Sequence, residues 1–124
     1  MECGVSKQSV RNLLEVGQGN EIAITAPNRK PLNYNGLRIH IDVIGEQLAS
    51  IGLKNSDRVA IVLPNGPEMA TAFLAVASYM SAAPLNPSYK EAEYEFYLED
   101  LKPKLVIVEE NTSNPVVKAA KKLS

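Results

Sequence analysis

Apolar and polar residues follow a pattern along this chain that predicts strands separated by helices. Three short apolar runs stand between turn residues and are typical of buried strands; they cover Arg58–Leu63, Ala82–Leu85 and Leu105–Val108. Helix-length segments lie between these runs. Because strands that alternate with helices usually form a parallel sheet with crossover helices, we expect an α/β fold. Its predicted architecture is a three-layer sandwich with a mainly parallel sheet flanked by helices.

The N-terminal part of the chain predicts a short helix and a small hairpin. Residues 6–16 carry three apolar side chains on one helical face, and glycines follow them; the three are Val10, Leu13 and Leu14. The segments 22–25 and 32–34 flank a turn that contains two prolines and an asparagine. Two short apolar segments around such a turn predict a pair of strands.

Residues 36–51 predict a long amphipathic helix. Apolar residues recur there at intervals of three and four, which is the helical period, and they are Leu37, Ile41, Ile44, Leu48 and Ile51. Asn33 or Asn35 precedes the helix and is a suitable cap. Gly52 follows it and is a typical helix end.

Three further helices are predicted after the first long strand. The segment 68–80 is apolar on nearly all sides, which is typical of a buried helix. The segment 88–101 begins with a capping box, in which Ser88 is the cap and Glu91 lies three residues later. Residues 116–123 follow an Asn-Pro pair and form the last helix.

The chain of 124 residues is long enough for a single domain, residues 1–124, with its own hydrophobic core. The predicted core residues occupy inward positions on the strands and helices. They are Leu37, Ile41, Ile44, Leu48, Val59, Ile61, Leu63, Phe73, Leu74, Ala77, Leu98, Leu105 and Ile107.

Composition excludes several classes of function. The formal net charge is −1 and the 13 Lys and Arg residues are scattered, so no nucleic-acid partner is expected. Cys3 is the single cysteine, which excludes a disulfide within the chain and is typical of a reducing compartment. The uncharged stretch Met69–Tyr89 is broken by prolines and its apolar part is too short for a membrane span. No signal peptide is visible.

Four features suggest a chemical role, and each also has an ordinary structural explanation. Cys3 is either a reactive thiol or an inert residue near the terminus. His40 is either a base or ligand, or a histidine at the surface or core rim, and no Cys, Asp or Glu stands near it at metal spacing. The turn Pro64–Pro67 has one glycine and no lysine, so a turn is favoured over a phosphate cradle. Five carboxylates on helix 88–101 are typical of a solvated face rather than a metal site: Glu91, Glu93, Glu95, Glu99 and Asp100.

Several motifs together resemble a known superfamily. Gly52–Glu68 reads Gly-Leu-x-x-x-Asp-Arg-Val-Ala-Ile-x-Leu-Pro-Asn-Gly-Pro-Glu, followed by Ala-Phe-Leu-Ala, Ala-Pro-Leu-Asn-Pro-Ser-Tyr and Phe-Tyr-Leu-Glu-Asp. This pattern resembles the N-terminal part of the adenylate-forming synthetases, which include acyl-CoA synthetases, luciferases and peptide-synthetase adenylation domains. The resemblance extends from about Ser6 to Lys122. The segment Ala83–Lys104 is most similar to the oxalate–CoA ligase and peroxisomal CoA-synthetase branch.

The resemblance implies an activity for a longer parent protein. That parent would use ATP, Mg and CoA to convert a carboxylic acid, such as oxalate, to an acyl-adenylate and then to a thioester. In the superfamily the ATP site needs a glycine- and hydroxyl-rich loop with lysine, an aromatic-Thr-Glu motif, a ribose-binding Asp and a lysine in a C-terminal domain. None of these matches residues 1–124. We therefore expect a chain truncated before the ATP-binding motifs, with no catalytic residue, no metal site, no cofactor of its own and no activity in isolation.

The resemblance also implies one candidate site and a set of partners. The loop Asn86, Pro87 and Ser88 matches a loop on the CoA side of the cleft in some relatives, although those relatives have glycines where this chain has Asn-Pro. The expected partner is the remainder of the synthetase chain, in a cytoplasmic or peroxisomal, and so intracellular, location. A dimer through an exposed sheet edge is a further expected assembly. The alternative function is a free-standing, non-enzymatic α/β binding or interaction module.

Overall fold

The computed structural model describes residues 9–123 of the chain. In chain order its elements are α1 (Val10–Leu13) with a following 3-10 turn (Leu14–Val16), β1 (Ile22–Ile24), β2 (Leu32–Asn33), α2 (Tyr34–Ser50), β3 (Arg58–Val62), α3 (Pro67–Tyr79), β4 (Ser81–Pro84), α4 (Glu91–Leu101), β5 (Leu105–Val108) and α5 (Val116–Leu123). Within residues 9–123, each helix is too short or too polar to cross a membrane.

The main sheet has three parallel strands in the order β4–β3–β5. Val59 on the central strand lies opposite Ala82 on β4 and Leu105 on β5. β1 and β2 pair antiparallel and form a separate hairpin. The predicted α/β fold, with a parallel sheet flanked by helices and a small hairpin, is therefore confirmed.

Alternate residues of β3 face opposite sides of the sheet and divide the core into two layers. Val59 and Ile61 pack against α2 and α3. Ala60 and Val62 pack against α4 and α5. Because successive side chains on a strand point to opposite faces, an uninterrupted apolar strand can bind a helix layer on each side. These contacts make the three layers of the sandwich.

A third apolar cluster attaches the hairpin to the sandwich. Leu37 and Ile41 of α2 and Ala75 of α3 are buried, and Ile24 and Leu32 of the hairpin pack against them. The hairpin therefore covers one side of the α2–α3 pair. Leu13 of α1 is 61% exposed, so the predicted apolar face of the first helix is wrong at that position. Residues 6–8 of that predicted helix lie outside the described part of the chain.

The long amphipathic helix begins earlier than its apolar stripe predicts. α2 starts at Tyr34, and the Asn33 side-chain oxygen accepts a 2.8 Å hydrogen bond from the Gly36 backbone N–H. Asn33 is thus the cap, because its oxygen satisfies a donor that the first helical turn leaves unpaired. Ile51 follows the helix and is 64% exposed. The apolar stripe therefore ends at Leu48.

The predicted capping box of α4 is wrong by two residues. α4 begins at Glu91, and the Lys90 backbone N–H donates a 3.0 Å hydrogen bond to Glu93 Oε1. The Ser88 backbone N–H instead donates to Asn86 Oδ1 at 2.8 Å. Asparagine side chains often bond the backbone two residues later and hold it in a turn. That turn delays the start of the helix.

The predicted core is correct for most strand positions and wrong for Phe73, whose side chain is 39% exposed. On α3 the neighbouring Ala75 and Val76 face inward and are fully buried. An all-apolar helix gives no signal to choose the inner face, so the sequence pattern could not distinguish these positions. The structure also buries seven residues that the prediction omitted, which are Ala60, Val62, Ala75, Val76, Tyr94, Val116 and Ala119.

Candidate functional site

The carboxyl ends of the three parallel strands lie at one edge of the sheet and carry the loops that follow them. In open parallel sheets ligands usually bind outside these ends. The predicted site loop, Asn86–Ser88, follows β4 directly and so lies at this edge. The segment 109–115 follows β5 at the same edge.

Hydrogen bonds within the loop fix its shape. The Asn86 side chain closes a turn by accepting the Ser88 N–H. The Asn86 carbonyl oxygen accepts a 2.7 Å hydrogen bond from the Tyr94 hydroxyl group and a 3.3 Å bond from the Tyr89 N–H. Because Tyr94 is fully buried, its hydroxyl group anchors the loop to the core of the α4–α5 layer.

Asn114 joins this loop to the next one. Its side-chain Nδ2 donates a 2.9 Å hydrogen bond to the Pro87 carbonyl oxygen, and its Oδ1 accepts a 2.8 Å bond from the Val116 N–H at the start of α5. The Asn-Pro pair before a helix predicts only the second of these bonds. The bond to Pro87 spans 27 residues, and no local pattern in the sequence indicates it.

Aromatic side chains stand beside the loop. The Tyr89 ring stacks on the Tyr97 ring with centroids 5.2 Å apart and an 11° angle between planes, and it meets the Tyr94 ring edge-on at 5.6 Å. The hydrogen bond with Tyr97 raises the pKa of Tyr89. The Tyr89 phenol therefore stays neutral near pH 7, where it can stack and donate a hydrogen bond.

The structure places His40 on a different surface. It is exposed on α2 and lines a cleft of about 610 Å³ between the hairpin, α2 and α3. Arg29 and Glu68 also line this cleft and form an ion pair at 2.5 Å. The Arg29 hydrogen bond lowers the pKa of Glu68. His40 is therefore not brought together with the Asn86–Ser88 loop.

Three of the five carboxylates of α4 have structural partners. Glu91 and Glu95 lie 3.4 Å and 3.2 Å from Lys122 Nζ of α5, and Glu93 caps its own helix. Among residues 9–123, no three His, Cys, Asp or Glu side chains are grouped so that they could hold a metal ion. Cys3 lies outside the described residues.

The fold is an open, parallel α/β sheet flanked by helices, and comparison with known proteins identifies the family. Residues 14–124 match the model of the AMP-binding enzyme family. The chain therefore belongs to that family.

Curated relatives include CoA ligases. The chain is 37% identical over 112 residues to an oxalate–CoA ligase of Arabidopsis thaliana, which covers 82% of this chain and 22% of that protein. It is 46% identical over 69 residues to an oxalate–CoA ligase of Saccharomyces cerevisiae, which covers 52% of this chain and 13% of that protein. The chain thus spans about a fifth of the length of the Arabidopsis relative.

Solved structures share the fold. Apo MatB from Rhodopseudomonas palustris superposes with a TM-score of 0.80 at 22% identity, over 93% of this chain and 24% of that chain. At this identity the similarity establishes the fold alone.

Proposed function

We propose that this chain forms the N-terminal subdomain of an AMP-forming acyl-CoA synthetase. In the reaction of the whole protein, a carboxylate attacks the α-phosphate of ATP and pyrophosphate leaves. The CoA thiol then attacks the acyl-adenylate, and AMP leaves as the thioester forms. The observation that carries this proposal is the family match over residues 14–124, together with CoA ligases as relatives.

The role of this chain in that reaction is to support the fold of the synthetase and to position the loop Asn86–Ser88. Its described residues do not fit ATP by themselves, because the turn at Pro64–Pro67 offers one glycine and no lysine, and a triphosphate site needs several inward amides and a cation. Mg²⁺ needs carboxylate ligands. Three of the five α4 carboxylates contact Lys122 or the helix start instead, and no three His, Cys, Asp or Glu side chains of residues 9–123 are grouped for a metal ion. ATP, Mg and CoA are therefore proposed for the whole protein, and no catalytic step is assigned to this segment.

We propose oxalate as the acid. Two relatives, one from a plant and one from a yeast, are oxalate–CoA ligases. Oxalate is the smallest dicarboxylate, and a synthetase that accepts it must hold a second negative charge beside the reacting carboxylate. That pocket is assigned to the part of the protein beyond these residues.

The loop Asn86–Ser88 is proposed to face CoA. Its position at the carboxyl edge of the sheet supports this assignment, as do the bonds from Tyr94 and Asn114 that hold it in one shape. A loop held in this way loses little conformational freedom when it binds a ligand. The proposed compartment is reducing, cytoplasmic or peroxisomal.

A chimeric enzyme tests the function. Residues 14–123 replace the matching segment of the Arabidopsis oxalate–CoA ligase, and AMP release is measured with oxalate, ATP and CoA. We expect activity within about 100-fold of the unaltered ligase, a loss that a misplacement of about 1 Å can cause. The control chimera carries Ala60→Asp, which puts a charge at a fully buried position of β3 and should abolish cooperative folding.

The oxalate assignment is tested on the full-length native protein, because the remainder of the Arabidopsis ligase supplies the oxalate pocket of the chimera. AMP release by the native protein with acetate, malonate or benzoate but not with oxalate would overturn that assignment. A chimera that unfolds cooperatively yet forms no oxalate-dependent AMP would overturn the synthetase assignment of this segment. The chain would then be better described as a free-standing α/β binding module.

A further inference from the structure

The side chain of Asn114 makes two separate hydrogen bonds at the carboxyl edge of the sheet. Its Oδ1 accepts a 2.8 Å bond from the Val116 N–H at the start of α5, and its Nδ2 donates a 2.9 Å bond to the Pro87 carbonyl oxygen. Asn114 is half-buried. One amide group therefore connects the start of a helix to a loop that lies 27 residues earlier in the chain.

The helix cap alone does not require asparagine. Serine, threonine, aspartate and asparagine are all preferred as caps, because each offers a side-chain oxygen to the first backbone N–H groups of a helix. Of these four, only asparagine has a separate nitrogen donor beside its acceptor oxygen. Asn114 thus has the one side chain of this group that can cap α5 and donate an N–H to Pro87 at the same time.

The position of Asn114 is fixed by its own neighbours rather than by the loop. Its backbone N–H donates a 3.1 Å hydrogen bond to the Thr112 hydroxyl oxygen, in a short turn of the kind that hydroxyl side chains form. Pro115 follows and favours an extended backbone at Asn114. α5 is held in place by Val116 and Ala119, which are fully buried. The Asn114 donor therefore belongs to a rigid support.

Two hydrogen bonds fix the two peptide groups beside Pro87. The Tyr94 hydroxyl group donates to the Asn86 carbonyl oxygen, in the peptide group before Pro87. Asn114 donates to the Pro87 carbonyl oxygen, in the peptide group after it. The proline ring also fixes the rotation about its own N–Cα bond. Removal of the Asn114 donor should therefore loosen the peptide group between Pro87 and Ser88, while Tyr94 still holds the peptide group before it.

We propose that Asn114 is a positioning residue for CoA, which acts through Pro87 by holding the loop Asn86–Ser88 in the shape that receives the ligand. That CoA is the ligand rests on the proposed function, whereas the bond from Asn114 to Pro87 does not. A loop that is already ordered loses less conformational freedom on binding. A protein that lacks the Asn114 donor must order the loop when CoA binds, so its affinity for CoA should be lower.

Three variants of the full-length native protein test this proposal. Asn114→Ser keeps an acceptor for the Val116 N–H, but its hydroxyl group ends one bond earlier and is too short to reach Pro87. Asn114→Ala removes both bonds. Asn33→Ser is the matched control, because Asn33 caps α2 in the same way and lies in the hairpin, away from the carboxyl edge of the sheet. Calorimetry with AMP present measures the Kd for CoA, and urea unfolding measures stability.

CoA affinity and stability should change separately in the two Asn114 variants. Both variants should bind CoA about three- to tenfold more weakly than the native protein, which corresponds to the loss of one hydrogen bond. Asn114→Ser should keep nearly the native urea midpoint, because serine is as good a cap as asparagine, whereas Asn114→Ala should unfold at lower urea. Asn33→Ser should keep both values. A merely structural role would lower the CoA affinity only together with the stability.

Amide hydrogen exchange, resolved to single amides by mass spectrometry, shows whether the affinity changes through the loop. The Ser88 and Tyr89 N–H groups both donate to Asn86, so their exchange rates report on the shape of the loop. In Asn114→Ser these two amides should exchange about three- to tenfold faster, while the Val116 amide stays protected. In Asn114→Ala the Val116 amide should exchange faster as well.

Four results would overturn the proposal. Native CoA affinity in Asn114→Ser would show that this bond does not position the loop for CoA. Weaker binding with unchanged exchange at Ser88 and Tyr89 would show that the effect does not pass through the loop. An equal loss of affinity in Asn33→Ser would make the effect a general one. Absence of CoA binding by the native protein would remove the ligand itself.

AMP release by the same samples tests the proposed function separately. It is measured with ATP, CoA and each of four acids, which are oxalate, acetate, malonate and benzoate. A native protein that binds CoA more tightly than Asn114→Ser but releases no AMP with any of these acids contradicts the proposed function alone. AMP release by the native protein, together with native CoA affinity in Asn114→Ser, contradicts the inference alone.

Discussion

The Tyr94 hydroxyl group and the Asn86 carbonyl oxygen form a 2.7 Å hydrogen bond between a fully buried helix residue and an exposed loop. The ring of Tyr94 belongs to the core of the α4–α5 layer, which it shares with Ala60 and Val62 of β3. One side chain thus links the packing of the sheet to the shape of its carboxyl edge. The loop proposed to face CoA is held by the core.

Tyr94→Phe should destabilise the protein by about 1–2 kcal/mol, because it removes a buried donor and leaves the Asn86 carbonyl oxygen with its longer bond. Urea unfolding measures the loss. The control is Tyr34→Phe, since the Tyr34 ring stacks with the Arg38 guanidinium at 5.7 Å and keeps that contact without its hydroxyl group. Equal losses in the two variants would show that the Tyr94–Asn86 bond contributes nothing specific.

Asn86→Ala should raise the KM for CoA in the chimera and leave adenylate formation from oxalate and ATP unchanged. The Asn86 side chain closes the turn to Ser88, so its loss lets the loop relax. Loss of one such bond corresponds to about a three- to tenfold rise in KM. Asn55→Ala, in the loop before β3, is the control. An unchanged KM for CoA would contradict the placement of this loop.

Asp42 should contribute a pH-dependent part of the stability. Arg11 donates two hydrogen bonds to its carboxylate, at 2.8 and 3.1 Å, and lowers its pKa below the ordinary 3.8; the Tyr79 hydroxyl group adds a third at 2.5 Å. A lowered folded-state pKa stabilises the protein above about pH 4, and that stabilisation is lost as the pH falls through the folded-state value.

The size of the Asp42 effect is limited by solvent. The Asp42 side chain is 43% exposed, so screening holds the contribution to at most about 1 kcal/mol. Urea unfolding of the wild type and of Asp42→Asn at pH 7 and pH 3 measures it. The variant should lose less stability than the wild type between these values. A parallel loss in both proteins would mean that Asp42 does not carry this dependence.

Ile41→Ala and Phe73→Ala should differ strongly, although both remove a large apolar side chain. Ile41 of α2 is fully buried against α3 and the hairpin. Its truncation should lower the free energy of unfolding by about 2–5 kcal/mol. Phe73 is 39% exposed, so its truncation should cost less than half as much. Thermal or urea unfolding of the two variants makes the comparison. Equal losses of unfolding free energy in the two variants would mean that Phe73 belongs to the core.

Local signals predicted the strands well because each apolar run ends at turn residues. β5 spans Leu105–Val108 as expected, and β3 starts at Arg58. α5 starts at Val116, after the Asn114 cap. These boundaries depend on residues within a few positions of each other, which a sequence pattern contains.

The features that sequence reasoning missed depend on distant contacts. Asn114 reaches Pro87 only because the folded sheet brings two loops together. The exposure of Phe73 depends on which side of α3 meets α2 and β3, and an all-apolar helix does not specify that side. The late start of α4 depends on competition between the Asn86 turn and the helix cap. The assignment of the loop to CoA remains a prediction.

The mass of the native protein tests the central claim most directly. An antibody raised against residues 9–123 would detect the protein in extracts of its natural source after denaturing electrophoresis. If this chain is the N-terminal subdomain of a synthetase, the band should be several-fold heavier than the 13.5 kDa of the chain itself. A band at 13.5 kDa alone would contradict the account, because the fold would then exist without the residues that activate a carboxylate.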